Sequence, residues 1–179
     1  MYGAVDETEM RCLYQRFQAS TGGHAQMNRT KFSELMDMFV DRKKVPKNYY
    51  DFLFLAFDKD QRGFVTLKQL ASTLGQLLRG SPDELKALAF SMIDFDQNGS
   101  MAADELFSLL NSEMGDIMKA DLERLLDVLV SKYIGERSSK LMMLTYEEFA
   151  HAIPGRPHML DVFRADAEDL LSVPMFTMD

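Results

Sequence analysis

The run Asp94-Phe95-Asp96-Gln97-Asn98-Gly99-Ser100-Met101-Ala102-Ala103-Asp104-Glu105 places oxygen-bearing side chains at the first, third and fifth of twelve positions and a glutamate at the twelfth. That spacing lets a short loop wrap Ca²⁺, a hard cation that takes about 6–8 oxygens at roughly 2.3–2.6 Å. Gly99 at the sixth position permits the tight turn because it carries no Cβ. Ser100 offers its backbone carbonyl, Ala102 leaves the ninth position to water, and Glu105 closes the shell with both carboxylate oxygens. The expected metal set is therefore Asp94, Asp96, Asn98, Ser100 and Glu105. It makes one Ca²⁺ site, which Mg²⁺ could also fill.

The loop has a relative in phase with it. Asp58–Gln69 reads D-K-D-Q-R-G-F-V-T-L-K-Q and begins 36 residues earlier, with glycine again at the sixth position and an apolar residue at the eighth. Arg62 stands at the fifth position and Gln69 at the twelfth, so a cation is added and a bidentate carboxylate lost. Asp58, Asp60 and Thr66 remain as a weak donor set. Two further units align less well. Between Phe17 and Phe32 the loop is two residues too long and carries Lys31 where a carboxylate belongs. Between Tyr133 and Phe149, Glu148 survives, but Arg137, Ser139, Leu141 and Met142 fill the earlier positions. Neither is expected to hold metal. EF-hand loops pair at the eighth position, so Met27 should face Val65 and Met101 should face Leu144. The fold class predicted is all-α: two pairs of EF-hands, four helix–loop–helix units, in two lobes plus a C-terminal helix. The lobes are expected at 1–80 and 81–155, with the helix and tail at 156–179.

Apolar periodicity places helices around these loops. Met10, Leu13, Tyr14 and Phe17 mark the first, and Phe32, Leu35, Met36 and Phe39 the second. Residues 47–57 are apolar nearly all round, a surplus to be buried inside the protein or offered to a partner. Gly80-Ser81-Pro82 separates the lobes, with proline at its favoured first helical position. Thr145 and Glu148 form a capping box. Leu160, Phe163, Ala167 and Leu170 make a helical stripe after the turn Pro154–Pro157, expected to dock in the groove of its own C-terminal lobe.

Composition narrows the function. The chain has 179 residues, 46% of them hydrophobic, and a net charge of −8. Residues 1–80 carry 12 Lys/Arg against 9 Asp/Glu, and residues 81–179 carry 8 against 19. A nucleic-acid binder is not expected from that balance. The basic cluster Arg42-Lys43-Lys44-Lys47 is a candidate contact for an acidic surface. Cys12 stands alone, so no internal disulfide forms. No apolar run reaches the roughly 20 residues of a membrane span. Tyr2 occupies the place of a myristoyl glycine, so no membrane anchor is expected. His24, His151 and His158 are scattered without partners, and no catalytic motif is present, so no enzyme activity is expected.

The arrangement resembles the neuronal calcium sensor branch of EF-hand proteins, and within it the calaxin-like, axonemal type. The resemblance lies in the third-hand loop and in Leu77-Leu78-Arg79-Gly80-Ser81-Pro82-Asp83-Glu84, similar to the family's leucine-arginine-glycine-serine linker. It extends to Glu9-Met10-Arg11-Cys12-Leu13 with Phe17, and to Met159-Leu160 with Phe163. It implies a cytoplasmic Ca²⁺ sensor that binds a helical protein target, with calaxin-like members acting on dynein assemblies of cilia and flagella. The chain departs from the family in lacking the myristoyl glycine and in its damaged second and fourth loops. The residues support two functions. One is a Ca²⁺-responsive adaptor with an apolar groove, which fourteen flexible methionines would suit, although Met10, Met36 and Met92 read as core. The other is a Ca²⁺-insensitive structural subunit of a cytoskeletal or motor complex.

Overall fold

The computed structural model describes residues 5–43, 45–133 and 142–172. Arg137, Ser139 and Leu141 of the fourth loop, and Lys44 of the basic cluster, lie outside them. Among the described residues the protein is all-α, with four short strands placed between helices. Helices α1 (Glu7–Thr21) and α2 (Arg29–Met36) flank β1 (Gln26–Asn28). Helices α3 (Tyr49–Phe57) and α4 (Leu67–Arg79) flank β2 (Phe64–Thr66). Helices α5 (Pro82–Ile93) and α6 (Ala103–Leu110) flank β3 (Ser100–Ala102), and α7 (Glu113–Lys132) and α8 (Tyr146–Ala152) flank β4 (Met143–Thr145). A 3-10 turn at His158–Leu160 leads into α9 (Asp161–Ser172).

The strands pair in antiparallel twos, Met27 opposite Val65 and Met101 opposite Leu144, as the eighth positions imply. All four of these side chains are buried. Each strand thus ties two loops by backbone hydrogen bonds and seals the tie with one apolar residue.

Helix starts follow from short polar side chains. Asp6 accepts from Glu9 N–H at 2.8 Å while Glu9 accepts from Asp6 N–H at 2.8 Å. Thr66 with Gln69 and Thr145 with Glu148 form the same reciprocal box. Gly22 ends α1 at φ +65°, a conformation in which a Cβ is strained.

The chain divides into two compact units, Met1–Ser81 with Val162–Asp179, and Pro82–Asp161. In the first, Phe32 packs at the centre with ring centroids 5.3 Å from Phe54 and 5.2 Å from Phe57. The aromatic run on α3 is absorbed by this core: Tyr49, Tyr50, Phe52, Leu53, Phe54, Ala56 and Phe57 are all buried. Helix α9 belongs to the same unit. Its Phe163 ring stacks on Tyr49 at 5.1 Å, and the Tyr49 hydroxyl donates to the Asp166 carboxylate. The expected docking of the stripe in the C-terminal lobe is thereby corrected for Phe163, Ala167 and Leu170, whereas Leu160 is buried and belongs to the second unit. The surplus apolar face of α3 takes part of its cover from this stripe, through Tyr49 against Phe163. Met36 and Met92 are buried, whereas Met10 is 37% exposed and not core.

In the second unit, Leu122, Leu125, Leu129, Leu106, Phe149 and Ile153 are buried, with Phe90 edge-on to Phe149 at 5.2 Å. Asp121 is a charged side chain inside this core, without solvent exposure. Its Oδ2 accepts from Met159 N–H at 2.7 Å, holding the 3-10 turn, while Oδ1 has no partner among the described residues. Burial pushes its carboxyl above the usual aspartate range, opposed by the Met159 N–H, His158 and Arg124. Because the folded value lies above the unfolded one, the unfolded chain ionises first as pH rises. Asp121 therefore favours the fold below the ordinary aspartate range, and that contribution is lost as pH rises through the raised value. Asp121→Asn should remove this component. Urea melts of both proteins across the acid range should show the wild type losing stability relative to the variant as pH rises.

Candidate metal centre

The loop between α5 and α6 is built by its own polar groups. Asp94 closes the end of α5, buried, with Oδ1 accepting from Asn98 N–H at 3.2 Å and Oδ2 from Gly99 N–H at 3.0 Å. Asp96 Oδ1 accepts from Asn98 N–H at 3.1 Å, and Asn98 Nδ2 donates to Asp96 Oδ2 at 2.6 Å. Asn98 Oδ1 accepts from Ser100 N–H at 2.8 Å and from its hydroxyl at 2.7 Å. Gln97 at φ +52° and Gly99 at φ +84° turn the chain around these oxygens. Four of the five expected ligands, Asp94, Asp96, Asn98 and Ser100, are thus brought together.

Glu105 is placed differently. It sits in the first turn of α6, and its Oε2 accepts from Ala102 N–H at 2.8 Å. Among the described residues no three His, Cys, Asp or Glu side chains gather as a metal-holding group. Burial raises the Asp94 carboxyl above its ordinary range and the neighbouring Asp96 adds to the rise, against the Gly99 and Asn98 N–H groups. The donors are all oxygen, the backbone already turns around them, and two carboxylates adjoin with no side-chain cation paired to them among the described residues. That chemistry fits a hard divalent ion.

The loop between α3 and α4 has the same backbone and the opposite electrostatics. Asp58 accepts from Arg62 N–H at 3.0 Å and Gly63 N–H at 2.8 Å, matching Asp94 position for position. Gln61 and Gly63 repeat the positive φ values, at +51° and +78°. Here, however, Arg62 Nη2 donates to Asp60 Oδ2 at 2.8 Å, and Gln69 Nε2 reaches the same oxygen at 3.3 Å. Thr66 is committed to capping α4 through Gln69 N–H at 3.3 Å. The guanidinium takes the place a metal would neutralise. Restoring the pattern with Arg62→Asn and Gln69→Glu should add one Ca²⁺ equivalent in calorimetric titration. An unchanged stoichiometry would show that Arg62 and Gln69 are not what disables the loop.

Two features escape a reading by spacing. Arg16 looks like an ordinary polar residue of α1, yet it has no solvent exposure and its guanidinium lies 4.6 Å over the Phe39 ring. Arg42 of the basic cluster is held by Asp37 and lies over Tyr50, so part of that cluster's charge is satisfied internally. Both depend on side chains outside their own helical repeat, Phe39 for Arg16 and Asp37 and Tyr50 for Arg42, which periodicity does not register.

No family model matches the chain. It is 30% identical over 113 residues to calcium-binding protein NCSA of Dictyostelium discoideum, covering 60% of this chain and 55% of that protein. It is 25% identical over 123 residues to calaxin of Danio rerio, covering 61% and 54%. Calaxin of Homo sapiens aligns over 158 residues at 25% identity, covering 78% and 70%. The chain thus spans about half the length of the first two relatives. No helix among the described residues is long and apolar enough to cross a membrane.

Proposed function

We propose, from the premise that this chain is an EF-hand protein of the neuronal calcium sensor and calaxin-like type, that it is a Ca²⁺-responsive adaptor with one working site, Asp94–Glu105. The observation that carries the reading is the contrast between the two in-phase loops. One sets Asp94 beside Asp96 with no cation paired to them among the described residues, while the other carries Arg62 on Asp60. When bound, Ca²⁺ supplies the divalent charge that neutralises the loop carboxylates, and Mg²⁺ is the competitor for the same oxygens. Asp94, Asp96, Asn98 and the Ser100 carbonyl would hold it. Glu105 would leave Ala102 N–H to close the shell. Because Glu105 stands in the first turn of α6, that exchange would move the helix and open apolar surface of the second unit to a helical segment of a protein target. The resemblance to calaxin-like proteins makes a ciliary or flagellar motor assembly the setting to test first.

Calorimetric titration of Ca²⁺ into the full chain tests this. One site with micromolar to millimolar affinity is expected; no heat at millimolar Ca²⁺ would defeat the reading. A second reading, a Ca²⁺-insensitive structural subunit, draws on the internally neutralised Asp58–Gln69 loop. It would be selected if partners co-purified from ciliated cells are the same in Ca²⁺ and in chelator.

A further inference from the structure

Arg16 carries its charge inside the first unit, without solvent exposure. Its Nη1 makes one long bond of 3.4 Å to the Asp169 carbonyl, and its Nε and Nη2 have no hydrogen-bond partner among the described residues. Those two N–H groups form the side-on fork of the guanidinium, which takes both oxygens of one oxyanion in parallel. Unmet, they carry a desolvation cost that a single carbonyl does not offset. The sequence sets beside this fork a group that becomes an oxyanion on oxidation. Cys12 stands one turn earlier on α1, and helical side chains lean toward the N-terminus, so Arg16 lies back over the turn that carries Cys12. The two groups interact: burial lowers the guanidinium below its ordinary range, and Cys12 acts in the opposite sense. Cys12 is half-buried, within reach of a small oxidant. It is the chain's one cysteine, so no second thiol of the chain closes a disulfide on its oxidised form.

We propose that Cys12 is an oxidation site for hydroperoxides, and that its sulfinate is the oxyanion that fills the open Nε and Nη2 fork of the buried Arg16. In the first step the Cys12 thiolate attacks a peroxide oxygen. An S–O bond forms and the O–O bond breaks; the sulfur gives up two electrons and the peroxide takes them. The proton lost by the thiol goes to the departing hydroxide or alkoxide, which leaves as water or an alcohol, and Cys12 is left as the sulfenic acid. A second peroxide repeats the exchange on the sulfenate sulfur and gives the sulfinate. That group sets two oxygens and one negative charge against one guanidinium. Two unmet donors are thereby replaced by a charge-assisted pair within α1, so oxidation here stabilises the first unit. The site uses no metal ligand and stands apart from the adaptor reading.

The test uses the full chain in EDTA, treated with graded hydrogen peroxide, with peptide mass spectrometry to count oxygens on Cys12 and on the exposed Met10, whose sulfoxide reports the dose. Wild type should collect the two-oxygen form of Cys12 and then melt about 4 °C or more above the untreated protein, after subtraction of Cys12→Ser treated alike, which carries the methionine oxidation. In Arg16→Met the same oxidation should lower the melting temperature, because the two oxygens then lack the guanidinium. Cys12→Asp imitates the sulfinate without peroxide. It should melt above Cys12→Asn at neutral pH by a similar margin, a difference that Arg16→Met removes. The Asp and Asn variants keep Arg16 and decide the matter even if Arg16→Met does not fold. The proposal is overturned if wild-type Cys12 carries no sulfinate at a dose that oxidises Met10. It is equally overturned if the sulfinate shifts melting alike with and without Arg16, or if Cys12→Asp is no more stable than Cys12→Asn.

Discussion

Glu105→Gln should lower Ca²⁺ affinity on the order of 100-fold while leaving the metal-free protein unchanged. The amide keeps one oxygen but loses the formal charge and the second oxygen of a bidentate ligand, against a divalent ion. The silence of the substitution without Ca²⁺ follows from the second loop. There Gln69 already occupies the twelfth position, and its Oε1 accepts from Thr66 N–H at 3.0 Å, the bond that Glu105 makes to Ala102. Glutamine is therefore a competent first-turn partner in this backbone. Calorimetry should show the loss of affinity, and melting in chelator should superpose on wild type. An affinity within threefold of wild type would mean that Glu105 does not ligate the ion.

Phe32→Ala should cost about 3–5 kcal/mol, a large share of the roughly 5–15 kcal/mol that holds a domain together. Phe32 has no solvent exposure and is flanked by the Phe54 and Phe57 rings, so its removal leaves a cavity between two large, rigid neighbours. Neither ring can collapse into the space without leaving its own partners. The urea midpoint of the first unit should fall accordingly, with the Ca²⁺ heat of the second unit preserved. A loss below about 1 kcal/mol would show that α2 and α3 repack around the gap.

The loops and their pairing were legible in sequence because their determinants are local. A glycine at the sixth position, an apolar eighth and a capping pair act within twelve residues, and they place Met27 on Val65 and Met101 on Leu144. The ion pair of Arg62 with Asp60 was equally legible, since the two are two residues apart. Glu105 shows the limit of that approach. Spacing names it as a ligand, but whether its carboxylate lies toward Asp94 or on Ala102 N–H is decided by one side-chain rotation with no trace in the pattern. The destination of α9 was not legible for a different reason. An apolar stripe states that it must be covered and says nothing of which surface covers it. Here the uncovered face of α3 lies more than a hundred residues earlier in the chain. Arg16 was missed because its burial is imposed by Phe39 and α9, not by anything on its own helix.

The return of α9 to the first unit has a consequence for synthesis. The second unit is one continuous stretch, Pro82–Asp161, and can close as soon as it leaves the ribosome. The first unit is built from stretches on either side of it, so Tyr49 waits for Phe163 until the whole second unit has been made. Nascent chains halted before α9 would hold that aromatic face open to solvent.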